Sequence, residues 1–239
     1  MIPRDHPRYR SLTVREALAA AARSGLVSLE GLAAHGRGEA FDYLIGERTT
    51  ESAAAAERLA AKLIISAKRP VISVNGNCAA LAAQEIANLQ KVTGAAVEVN
   101  LFHRTEDRMR QVTDHLVAHG VKVLTGTCER LVPLAHDRGL CLPEGIGSAD
   151  LILVALEDGD RCEALRKMGR IVIAIDLNPL SRTARLATLT IVDELTRALP
   201  AITAFCETER AGDLSEVADP IDNKKFLADA LREMRERLI

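Results

Sequence analysis

The chain has 239 residues, of which 48% are hydrophobic and 27% charged, and its net charge is −2. That supplies core for one large domain or two small ones and argues against bulk nucleic-acid binding, which needs a strongly positive surface. There is no Trp, aromatics are 3%, and the five cysteines (78, 128, 141, 162, 206) form no CxxC pair, so neither a base-stacking platform nor a disulfide or structural-zinc framework is expected.

The opening MIPRDHPRYR is polar and basic, unlike a signal peptide, and no apolar run approaches the roughly 20 residues of a membrane span. A cytoplasmic protein with reduced thiols and no membrane partner is the expectation. A helix is expected from about Thr13, as cap, to Ser24. Arg15 then falls in the first turn, where a cation opposes the helix dipole; it is either solvated or faces an anion. Residues 33–50, AAHGRGEAFDYLIGERTT, crowd His35, Glu39, Asp42 and Glu47 around Arg37, which Gly36 and Gly38 bracket. This is either a site where backbone approaches a ligand or a helix-connecting turn with its own salt bridges.

Residues 51–69 are helical by propensity and end at Pro70. From there short apolar runs alternate with helical stretches. Strands are expected at 70–74, 95–102, 121–125, 148–156, 171–175 and 188–193, and helices at 78–92, 106–119, 161–168 and 194–206. Six such strands predict an α/β, Rossmann-like, mostly parallel doubly wound sheet behind a helical N-terminal segment (1–69). Residues 1–206 form one domain in this reading, 207–222 an acidic linker, and 223–239 an amphipathic helix with Phe226, Leu227, Leu231, Met234 and Leu238 on one face. Residues 126–148, with two prolines and four glycines, read as a long loop of the kind that often carries function.

Ligands of open α/β sheets bind outside the carboxyl ends of the strands. At those exits stand Asn75-Gly76-Asn77, His103-Arg104-Thr105, Glu157-Asp158-Gly159-Asp160-Arg161, and Asp176-Leu177-Asn178 followed by Ser181, Arg182, Thr183 and Arg185. A carboxylate there can hold ribose, and arginine with hydroxyls can hold phosphate; the plain alternative is an acidic strand end and a solvated basic turn. The acidic exit could bind Mg²⁺ through substrate phosphates, or be only a favourable helix N-terminus. Neither G-x-G-x-x-G nor a P-loop is present.

Six segments occur in order: HPRYRSLTVRE (6–16), GLAAHGRGEAFDYLIGERT (31–49), PVISVNGN (70–77), NLFHRTE (100–106), LEDGDR (156–161) and DLNPLSRTAR (176–185). Together they resemble the archaeal phosphopantothenate synthetase (4-phosphopantoate–β-alanine ligase) family over about residues 2–200. The resemblance implies a Rossmann-like homodimer that joins 4-phosphopantoate to β-alanine with ATP, releasing AMP and diphosphate, on the way to coenzyme A. It puts ATP contacts on Arg15, Arg37, Asp176, Leu177, Asn178, Arg182, Thr183, Glu194 and Leu195. Two positions depart from the family pattern: Glu194 stands where Asn is frequent, and His103 where Tyr is usual.

An AMP-forming route implies an acyl adenylate, so arginines and Mg²⁺ should dominate the site. Arg37 and Arg15 are expected at the triphosphate, Asp176 at the ribose, Arg182 at a phosphate or the adenine edge, and Asn75, Asn77 and Arg104 at the phosphopantoate end. Glu39, Asp158 and Asp160 are the candidates to bind Mg²⁺ or to take the amine's proton. The competing readings are a non-catalytic nucleotide sensor and an NAD(P)-dependent oxidoreductase on the same sheet, the latter disfavoured by the missing glycine fingerprint.

Overall fold

Three helices lead the chain, α1 (Tyr9–Arg23), α2 (Leu29–Ile45) and α3 (Glu51–Ser66), in a computed structural model that describes residues 2–237. Then follow β1 (Pro70–Val74), α4 (Gly76–Thr93), β2 (Ala96–Val99), α5 (Glu106–Ala118), β3 (Glu129–Arg130), β4 (Leu140–Cys141), β5 (Leu151–Ala155) and α6 (Gly159–Lys167). The chain continues with β6 (Ile171–Ile175), α7 (Arg182–Leu186), β7 (Leu189–Ile191), α8 (Leu195–Thr208), α9 (Leu214–Ala218) and α10 (Asn223–Glu236).

Five strands pair in parallel in the order β2-β1-β5-β6-β7, with β3 and β4 as a separate antiparallel pair. Both faces of the sheet are covered, so its strands are continuous apolar runs. Val71, Ile152, Val154, Val172 and Ala174 point to one layer with Cys162 and Leu165 of α6. Ile72, Val74, Leu153, Ile173 and Ile175 point to the other, filled from α3, α4, α5 and α8. The chain leaves β1 towards one edge and β5 towards the other, so the strand order reverses between β1 and β5. At that crevice ligands bind in sheets of this kind.

The sheet has five strands rather than six. Residues 121–125 contribute a single bridge, Val97 to Val123, because Gln90 intercepts the ladder. Its side-chain amide accepts from Lys122 N at 2.7 Å and donates to Lys122 O at 2.9 Å. The first helix starts four residues before the expected cap: Thr13 donates its hydroxyl to Tyr9 O inside the helix, at 2.7 Å. Arg15 therefore lies in the second turn, and the dipole no longer bears on it. The glycine-punctuated stretch 33–50 is neither a loop nor a turn through most of its length but the body of α2. Ser28 caps that helix, accepting from Gly31 N, and Gly46 ends it with φ 89°.

The long loop 126–148 carries β3, β4 and a 3₁₀ turn, and the acidic segment 207–222 contains α9, whose Ala218 is buried. In α10 Leu227, Ala230 and Met234 are buried, whereas Leu231 is exposed; Leu238 lies outside the described residues. All five cysteines are free thiols. Burial pushes Cys78, Cys162 and Cys206 up to about 12 and Cys141 to about 11. Cys128 is half-buried, with Sγ 3.1 Å from Arg104. Among the described residues no helix is long and apolar enough to cross a membrane.

Candidate active site

At the carboxyl edge of the sheet α2 lies across the strand exits and divides two cavities of about 280 and 290 Å³. Residues 35, 39 and 42, at helical spacing, face the first; residues 30, 34 and 37 face the second. Gly38 packs α2 against Leu177: a Cβ there would lie in ordinary contact with that side chain, at 3.7 Å.

The first cavity is lined by Arg8, His35, Glu39, Asp42, Leu177, Glu194 and Arg197, among others. Its carboxylates are nearly all engaged. Glu39 accepts from Arg15 Nε at 2.7 and 2.8 Å and pairs with Arg8 at 3.3 Å. Glu47, at φ 52°, pairs with Arg8 at 2.9 Å. Asp42 and Asp193 share the Arg197 guanidinium at 2.5 Å each, and Thr49 donates to Asp193. Behind them Glu57 on α3 is buried, and burial together with Asp193 pushes its carboxyl up to about 8. Glu194 caps α8, accepting from Thr196 N at 2.7 Å and from its hydroxyl. Burial raises that carboxyl above its usual range. The Glu194 carboxylate thus serves as the N-cap of α8.

The second cavity sits at the point where strand order reverses. It is lined by Arg37, Asn75, Asn77, His103, Arg108, Arg138, Leu156 and Asp158, with further residues of α2 and the α4 start. Asn75 caps α4 through Cys78 N and donates to the carbonyls of Ala155 and Leu156 at 2.8 and 3.2 Å. Leu156 accepts from a left-handed backbone, φ 52°, a strained setting for a non-glycine residue. Asn77 donates to Gly31 O at 2.8 Å and so ties α4 to α2. The first turn of α4 thus opens into the cavity with its backbone N–H groups.

Sequence reasoning missed the two arginines beside it. Arg108 donates to His103 O at 2.7 Å, and its Nε is buried without a hydrogen-bond partner among the described residues. Arg138 is 3% exposed, pairs with Glu157 and has an equally unpartnered Nε, 3.8 Å from Asp158. One follows the strand exit that drew attention to Arg104; the other comes from the long loop already marked as functional. Arg104 itself turns away. It lines a third cavity with Glu98 and Cys128 and does not join Asn75 and Asn77.

The acidic exit does not gather into a metal cradle. Glu157 is held between Arg138 and Arg161, both buried, and the two guanidiniums keep its carboxyl below the usual range against the opposing effect of burial. Asp160 bonds His136 at 2.8 Å, and Asp158 is half-buried. Among the described residues no group of three or more His, Cys, Asp or Glu is arranged to hold a metal ion. On the next exit Asp176 accepts from Asn178 N at 2.9 Å and from Ser181, and Asn178 accepts from Leu180 N at 2.9 Å. Arg182 pairs with Glu163, Thr183 donates to Glu157 O at 2.7 Å, and Leu195 is buried. Arg37 is exposed, carries no ion pair among the described residues, and is the cation whose charge opposes the burial-driven rise of Asp176.

A sequence profile of the family described as phosphopantothenate/pantothenate synthetase matches residues 52–237. The chain belongs to this family. A 4-phosphopantoate–β-alanine ligase of Methanospirillum hungatei is 56% identical over 239 residues, covering 100% of this chain and 98% of that protein. The Methanosarcina mazei ligase of the same name is 52% identical, covering 99% and 95%, and that of Thermococcus kodakarensis is 46% identical, covering 99% and 93%. These relatives of the phosphopantothenate/pantothenate synthetase family align with essentially the whole chain, including the residues of α2 that precede the profile match.

Proposed function

We propose that this chain is an ATP-dependent ligase that condenses 4-phosphopantoate with β-alanine to give 4′-phosphopantothenate, releasing AMP and diphosphate. What carries the reading is the pair of cavities on either side of α2 at the strand-order reversal, in a chain 46–56% identical to proteins named for that reaction.

A carboxylate cannot accept an amine directly, because oxide is a poor leaving group. In the AMP-forming route a carboxylate oxygen of phosphopantoate attacks the α-phosphorus, the bond to diphosphate breaks, and an acyl adenylate results. The amine then attacks the acyl carbon, and the C–O bond to AMP breaks. The nucleotide lies along the first cavity and the β6 exit, with Leu177 under the base, Asp176 on the ribose, and Asn178, Arg182, Thr183, Glu194 and Leu195 around it. Arg15 is bound by Glu39, which also takes Arg8; anionic phosphates compete with that glutamate for both guanidiniums. Arg37, on the second-cavity side of α2 and without an ion pair among the described residues, meets the triphosphate where it reaches towards the acid. The phosphorylated acid takes the second cavity, with Asn75, Asn77 and the α4 N-terminus, and with Arg108 and Arg138 in place of Arg104. Mg²⁺ arriving on the triphosphate would neutralise its charge; Asp158 is the half-exposed carboxylate available to it, whereas Asp160 is engaged by His136. A homodimer belongs to the same reading, and light scattering tests it.

The decisive experiment incubates purified protein with Mg-ATP, 4-phosphopantoate and β-alanine and follows the nucleotide. AMP that appears only when both organic substrates are present is the expected result. ADP would retain a ligase but replace the adenylate by an acyl phosphate. ATP bound and left intact would overturn the enzyme in favour of a sensor.

A further inference from the structure

We propose that His35 is the general base that takes the proton from the ammonium group of β-alanine. The inference deepens the ligase reading and rests on it. β-Alanine enters as a zwitterion whose ammonium, with a pKa of about 10 like that of lysine, has no lone pair for attack at neutral pH. Whichever activated acyl group it meets, adenylate or phosphate, a proton has to be removed first, and a base near the reaction does this best.

The carboxylates that line the first cavity, Glu39 of the expected candidates among them, are occupied, and Asp160, another expected candidate, is bonded to His136. Glu39 is held by Arg8 and Arg15, Glu47 by Arg8, Asp42 by Arg197, and Glu194 by the cap of α8. Asp158 opens into the other cavity beside Arg138. His35 is different. It is 6% exposed, lines the first cavity, and neither ring nitrogen has a hydrogen-bond or ionic partner among the described residues. It stands on the dividing helix next to Ala34, which lines the second cavity. An imidazole there opens into the compartment for the nucleotide, one helix position from a residue that lines the compartment for the acid. Arg4 and Arg10, exposed and lining the same cavity as His35, are the cations available for the carboxylate of β-alanine.

The protonation state suits the role. Burial lowers the imidazole below its usual 6.5; Glu39 and Asp42 raise it and Arg15 on α1 lowers it, with the downward effect prevailing. The side chain is therefore neutral at neutral pH. The ammonium passes one proton to the imidazole, and the freed lone pair forms the C–N bond. The tetrahedral species collapses as the C–O electron pair leaves with AMP. The second N–H proton, acidic on the positively charged nitrogen, goes to water, and the imidazolium later releases its own proton to water.

The test uses hydroxylamine, an amine already unprotonated at neutral pH, beside β-alanine. In His35→Gln, kcat with β-alanine falls about 10²–10⁴-fold, the usual worth of a positioned base. Hydroxamate formation from 4-phosphopantoate, ATP and hydroxylamine stays within about threefold of the parent protein by the same reasoning. Equal losses with both amines, or no loss with β-alanine, overturn the proposal. If the variant does not fold, the parent protein still decides. Its kcat at saturating β-alanine should rise with a slope of one to an apparent pKa below the usual histidine value and then level off; a profile without that limb overturns the role. Absence of both amide and hydroxamate from the parent removes the ligase reading itself, and this proposal with it.

Discussion

Glu57 shows how one buried side chain can set a pH dependence. Its carboxyl is raised from 4.5 to about 8 by burial and by the neighbouring Asp193. Between those two values the folded chain keeps a proton that the unfolded chain gives up, so stability is full below about 4.5, falls as pH rises, and levels off above about 8. Glu57→Gln should remove that slope: its melting temperature gains on the parent's progressively across the window, and parallel curves would reject the account. None of this is legible in the sequence, where Glu57 is one acid in an alanine-rich helix; its neighbour arrives from 136 positions away. His35 was visible in the motif. Its alignment with Glu39 and Asp42 was not, because the two glycines hid a helix whose turn brings positions 35, 39 and 42 to one side.

α4 is the element on which the second cavity depends. Gly76 opens it against α1's exit, where an added Cβ would lie 2.4 Å from the backbone oxygen of Leu26. Helix propensity alone favours Ala over Gly by roughly 0.5–1 kcal/mol, whereas an overpacked site costs about 1–3 kcal/mol. Gly76→Ala should therefore lower the urea midpoint; a raised midpoint would mean that Leu26 simply moves aside. The alternation of strands and helices was readable from β-branched runs ending at Asn, Asp or Gly. The sixth strand was overread because VKVLT has the right composition, while Gln90 spends its amide on the Lys122 backbone groups that a neighbouring strand would need. A pairing lost to one side chain leaves no trace in hydrophobic periodicity.

At the scale of the molecule, the reversal between β1 and β5 and the helix laid across it separate two cavities, which in the proposed function hold two ligands that must meet. If the acid occupies the side of Arg108, Arg108→Gln loses a charge-assisted hydrogen bond worth about 1.5–3 kcal/mol. The KM for 4-phosphopantoate should then rise roughly tenfold or more, with the KM for ATP unchanged. A parallel rise in both would mean that the two cavities hold one ligand. The strand exits point to the edge at which the two cavities lie, since ligands of such sheets bind outside the strands' carboxyl ends. They did not announce the partition, which depends on α2 and on Arg138 from a loop with no repeating pattern.

The distribution of thiols has a practical corollary. Four of the five cysteines are buried, and their raised ionisation leaves almost no thiolate at neutral pH; Cys128 stands half-open beside Arg104 on the third cavity. A maleimide fluorophore thus has one natural attachment point, clear of the α2 wall. Whether nucleotide or acid changes the surroundings of that position can then be followed optically in the unaltered protein, with no cysteine removed and none introduced.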